Sequence, residues 1–129
     1  MTSGSKSSTS HDISRGDLFW VGEGGDKGSS SAELAHPYLV IQEDVFNRSR
    51  LPTIIVCALT SNLRRATEHG NVLLDLGEGG LPRQSVIVVS RIEAFERGRL
   101  SERIGRLSSQ RVDQAIAGLA FQQRSFFRE

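Results

Sequence analysis

Two apolar, β-branched runs, Tyr38–Ile41 and Thr53–Leu59, restrict the fold more than any other part of the sequence. Each has a proline at or just before its start, Pro37 and Pro52. Val, Ile, Thr and Tyr suit a pleated, buried surface. By period alone, a continuous apolar run fits a buried strand or a buried helix. The flanking prolines and the β-branched content decide for strands. Two central strands are therefore predicted. The first begins beside an imidazole, His36, and the second ends in two hydroxyls, Thr60 and Ser61, followed by Arg64 and Arg65.

The remaining elements are short. Asp17–Val21 predicts an opening strand, and the Gly/Ser-rich stretch 22–31 predicts a flap over a site. That stretch lacks the Gly-Lys-Ser/Thr core of a nucleotide phosphate loop, because Lys27 follows Asp26. Val72–Leu76 and Ser85–Val89 predict further strands, Arg91–Phe95 continues extended, Arg97–Glu102 suggests a helical turn, and Arg103–Leu107 predicts a half-exposed strand. Ser108 is a candidate N-cap for a helix whose apolar face is Val112, Ile116, Leu119 and Ala120. Many short strands and one terminal helix predict a mainly β fold, a small, strongly bent sheet or barrel. The expected division is a disordered tail over 1–12, one domain over 13–121, and a C-terminal tail over 122–129 carrying Phe126 and Phe127.

Several function classes lose support. No stretch is apolar enough for a membrane span or a signal peptide, so the expected place is the cytoplasm. The lone Cys57 sits in an apolar run and rules out a disulfide within the chain. Three scattered histidines make no zinc-like cluster, so no metal or cofactor is expected. The Arg15-Gly16-Asp17 triplet and the Asn47-Arg48-Ser49 sequon would matter only outside the cell. Residues 13–121 carry equal numbers of basic and acidic side chains, so bulk charge makes no case for nucleic acid. Fourteen of the sixteen basic residues are Arg, however, the residue type that grips phosphate bidentately.

The order of motifs is more informative than any one of them. R-G-D-L-F-W-V, a Gly/Ser-rich loop, H-P-Y-L-V-I-Q-E-D-V-F-N, L-P-T-I-I-V-C-A-L-T-S, G-L-P-R-Q-S-V-I-V-V, R-L-S-E-R-I-G-R-L-S and a final helix follow in turn. Over roughly residues 14–121 the chain resembles the MazF/PemK/Kid toxins of toxin–antitoxin pairs. The resemblance implies an SH3-like β-barrel with a C-terminal helix, a homodimer, and ribosome-independent cleavage of single-stranded RNA. It also implies a cognate antitoxin that inserts into the RNA groove. The family's catalytic hydroxyl falls on Thr60, with Ser61 beside it, and the Ser opening the G-L-x-x-x-S-V strand falls on Ser85. Where active members carry Arg before the first proline, this chain carries His36.

Metal-free RNA cleavage requires a base for the 2′-hydroxyl proton, an acid for the leaving 5′-oxygen, and positive charge on the phosphorane. Arginine does not deprotonate readily, so in the family it serves as acid or charge clamp. Histidine, which ordinarily titrates near ~6.5, exchanges protons around neutrality and carries charge when protonated. Three readings of His36 stay open: a replacement acid/base, a passive substitution in a weakened site, or a site whose Arg comes from elsewhere, such as Arg64 or Arg65. His69 is the other histidine of the domain, in the loop beyond them. RNA contacts are expected from Arg48, Arg50, Arg64, Arg65 and Arg83, with Trp20, Tyr38 and Phe46 as partly buried aromatics. Two rivals remain: a relic that binds RNA or an antitoxin without cutting, and a CcdB-like gyrase poison on the same barrel. Against the second, the helix is expected to end near Gln122 without that branch's W-G-I-type terminus.

Overall fold

A computed structural model describes residues 12–22 and 35–128, with side chains to residue 124. The N-terminal tail up to residue 11, the flap beyond Gly22, and the Phe126 and Phe127 side chains lie outside the described residues. Six strands form one sheet, β1 (Asp17–Gly22), β2 (Ala35–Val40), β3 (Thr53–Thr60), β4 (Val72–Leu73), β5 (Val86–Glu96) and β6 (Arg103–Arg106). Their spatial order is β4-β5-β3-β2-β1-β6, with every neighbouring pair antiparallel. A single-turn helix, α1 (Asp44–Asn47), follows β2, and a long helix, α2 (Ser109–Arg128), closes the chain.

The central runs lack alternating polarity because both faces of their strands are buried. Leu18, Leu39 and Cys57 form one cross-strand row, and Phe19, Tyr38 and Ala58 form the next. The first row joins Leu59, Ile87 and Val89 beneath Val112 and Ala115 of α2. The second joins Val21, Val40, Ile54, Val56 and Phe95 on the opposite face, where Tyr38 meets Phe95 edge-on at 5.0 Å. Each large apolar side chain buried this way stabilises the fold by about 1.5–3 kcal/mol. Cys57 lies in the first row, and burial pushes its thiol up to about 12, which leaves it inert as a nucleophile.

Several details differ from the sequence reading. Val72–Leu76 shortens to Val72–Leu73, because the chain turns at Gly77, whose φ of 83° only glycine adopts freely. The two extended pieces Ser85–Val89 and Arg91–Phe95 are one eleven-residue strand, β5. On α2, Ser108 caps as expected, its Oγ accepting from the Arg111 N–H at 3.2 Å. Val112, Ile116 and Leu119 of the predicted face pack on the core and Ala115 joins them, whereas Ala120 is exposed. The helix also runs through Arg128, so the predicted tail from 122 continues it and the boundary at 121 falls within α2. Among the described residues no helix is long and apolar enough to cross a membrane.

Polar ties fix the ends of the sheet. Buried Asp17 accepts from Arg103 at 3.2 Å and from Arg106 at 3.1 Å, which fastens β1 to β6. Buried Asn47 donates to the Gln42 carbonyl at 2.9 Å and accepts from Gln42 Nε2 at 3.0 Å, so it serves the β2–β3 connection. Glu78 pairs with Arg111 at 2.8 and 3.1 Å, tying the 78–80 turn to α2. The Arg111 guanidinium, outweighing burial and aided by the Asp75 N–H, holds the Glu78 carboxyl below its ordinary range. Stability from this pair is therefore complete above the ordinary carboxylate pKa and is lost as pH falls through the lower folded value. Glu78→Gln should lower the thermal midpoint at neutral pH, and the gap to wild type should narrow as pH falls below the ordinary carboxylate range in thermal melts. A gap independent of pH would contradict the assignment.

Candidate active site

The register of the two central strands builds the site. Tyr38 faces Ala58, and Val40 faces Val56. Continuing that antiparallel register by two residues sets His36 opposite Thr60, on the face that Tyr38 and Ala58 share. On the other side of β3, Thr60 pairs with Val86, so the next step outward sets Ser61 opposite Ser85. These strand ends line a cavity of about 590 Å³ with Trp20, Pro82, Arg83 and Arg91.

Each hydroxyl has a definite local role. Thr60 Oγ1 accepts from the Asn62 N–H at 3.1 Å, which caps the turn after β3. One lone pair is thus taken while the hydroxyl proton remains a possible donor into the cavity. Ser85 is buried, and its Oγ donates to the Arg83 carbonyl at 2.9 Å. It therefore shapes the turn that carries Arg83. His36 is exposed at the start of β2, and Ser61 is exposed at the end of β3.

The structure brings together five of the nine residues singled out from the sequence: His36, Thr60, Ser61, Ser85 and Arg83. The other four lie elsewhere. Arg48 and Arg50 follow α1, at the opposite end of the β2–β3 hairpin from the cavity, where Arg48 pairs with Asp44 at 3.6 Å. Arg64 and Arg65 belong to the 3-10 turn Leu63–Thr67 beyond the cavity rim, and Arg65 is held by Glu68 at 2.7 Å. His69 stacks against Phe121 of α2 at 6.1 Å and does not line the cavity. Of the three aromatics, Trp20 and Tyr38 line it, whereas Phe46 is half exposed within α1.

The residue missed from sequence is Arg91. It sits in an irregular part of β5: Leu59 pairs with Ile87 but Cys57 pairs with Ile92, so β5 carries extra residues opposite Ala58. Such bulges re-aim side chains beside functional sites. Strand alternation counted along the sequence does not reveal one.

A family model described as "PemK-like, MazF-like toxin of type II toxin-antitoxin system" matches residues 14–122. The chain belongs to this PemK/MazF toxin family. The match spans the strands and the cavity described above. Among similar proteins is endoribonuclease MazF6 of Mycobacterium tuberculosis, 37% identical over 107 residues, covering 83% of this chain and 93% of that protein. Endoribonuclease EndoA of Bacillus subtilis is 32% identical, covering 83% and 90%. The PemK/MazF fold recurs in a mycobacterial endoribonuclease solved with its cognate antitoxin (TM-score 0.67, 18% identity, covering 84% of this chain and 92% of that one). It recurs again in MazF of Deinococcus radiodurans (TM-score 0.65, 16% identity, covering 86% and 96%).

Proposed function

We propose that this PemK/MazF toxin is an endoribonuclease that cuts single-stranded RNA by attack of a 2′-hydroxyl on the adjacent phosphate. The observation that carries the assignment of residues is the meeting of His36 and Thr60 in one open cavity, in a chain 37% identical to a protein named an endoribonuclease. The O2′–P bond forms, the P–O5′ bond breaks, and the products are a 2′,3′-cyclic phosphate and a 5′-hydroxyl. His36 is the imidazole in the cavity, and it carries one of the two proton transfers while solvent takes the other. Thr60, its oxygen fixed by the Asn62 N–H, donates its proton to a non-bridging phosphate oxygen as charge builds there. Trp20, half-buried on the cavity wall, offers an apolar face on which an unstacked base can rest.

The same reading makes the chain one half of a toxin–antitoxin pair, with an antitoxin protein closing the cavity and a homodimer as the working unit. Exposed Leu73, Leu76 and Phe121 are apolar surface suited to cover by a second copy. RNA as substrate and a reduced, buried Cys57 both agree with a cytoplasmic place of action.

Thr60→Val keeps the side-chain shape and removes the donor. It should slow cleavage by about 10²–10³-fold in a single-turnover assay. Unchanged cleavage by the folded variant would remove Thr60 from the chemistry. The reaction class is tested with an oligoribonucleotide carrying one 2′-deoxy sugar at the cleaved position. That substrate should stay intact while its all-ribose counterpart is cut. Cutting of both, or DNA breakage with gyrase in place of RNA cleavage, would overturn the reading.

A further inference from the structure

We propose that Arg91 is a catalytic residue of this site, the guanidinium that grips the scissile phosphate while His36 moves the proton; this rests on the ribonuclease reading above. Cleavage needs positive charge on the phosphorane as well as proton transfer, and one imidazole cannot be neutral base and cation at the same moment. The cavity must therefore draw its lasting charge from another side chain. Arg91 and Arg83 are the arginines that line it.

The register favours Arg91. Glu93 pairs with Val56 and Phe95 with Ile54, which places both on the sheet face that carries Tyr38 and Ala58. Arg91 shares that face, two residues before Glu93, and its ion pair with Glu93 at 3.7 Å confirms that the two side chains lie on one side of the strand. The row running outward from Tyr38 and Ala58 reaches His36 and Thr60, so the irregular part of β5 borders the strand ends where the hydroxyl and imidazole meet. The guanidinium is more than half exposed and its bond to Glu93 is long, so that pair contributes little and yields readily to a phosphate. A planar fork can then hold two phosphate oxygens at once. Arg83, by contrast, sits on the turn that Ser85 shapes and belongs to no strand, so no register ties it to the row of His36 and Thr60.

The test is single-turnover cleavage of one RNA oligonucleotide by wild type, Arg91→Ala and Arg91→Lys, with thermal melts of all three. Arg91→Ala should lose about tenfold to a hundredfold in rate at saturating RNA, as loss of a charged hydrogen bond does, with an unchanged melt. Arg91→Lys should regain part of the loss, since the charge returns without the fork. A phosphorothioate at the cleaved position should slow wild type more than it slows Arg91→Ala, a difference that a purely structural role would not produce. Equal cleavage by wild type and Arg91→Ala would overturn the clamp and leave the ribonuclease standing. No cleavage by wild type would overturn both.

Discussion

His36→Ala should slow RNA cleavage by about 10²–10⁴-fold near neutral pH. The side chain is exposed at the start of β2, so its loss opens no hole in either core. The companion variant His36→Arg keeps a cation at the same place but removes the readily exchanged proton. If His36 is the acid/base, that variant should be slow. If His36 is a passive substitution in a weakened site, His36→Arg should match or exceed wild type.

The second large effect concerns the fold. Gly118 lies in the interior of α2, where Ala would ordinarily gain about 0.8–1.0 kcal/mol over Gly. Here a Cβ on Gly118 would fall on the carbonyl oxygen of Gly70, which is backbone and does not swing aside. Gly70 is equally constrained: its φ is +92° and a Cβ there would lie 2.8 Å from the Gly118 oxygen. Helix and loop meet backbone to backbone. Gly118→Ala should therefore destabilise the protein by about 1–3 kcal/mol in denaturant titrations despite its better helix propensity. Gly98 meets nothing within 4 Å, so Gly98→Ala should change little. A Gly118→Ala protein more stable than wild type would show that α2 does not rest on the loop this closely.

How far such features could be read from sequence depends on the range of the signal. The continuous apolar runs announced β2 and β3 because burial on both faces is written locally, and Ser108 announced the start of α2 for the same reason. The meeting of His36 with Thr60 was legible once those runs were taken as paired strands with the site at one end. The irregular stretch of β5 was not legible, because extra residues in one strand leave no mark in its own composition, and Arg91 was missed with it. Arg48 and Arg50 were drawn toward the site by residue type, yet the hairpin carries them to its other end. The resemblance to the PemK/MazF toxins, drawn from the order of motifs, agrees with the family match over 14–122.

End-group analysis of RNA cut by wild type, His36→Ala and Thr60→Ala, with folding verified for each, tests the central claim most directly. Discrete fragments bearing 5′-hydroxyl and 2′,3′-cyclic phosphate ends from wild type, and their loss in both variants, are the predicted result. Fragments with 5′-phosphate ends, or wild-type rates from either variant, would contradict it.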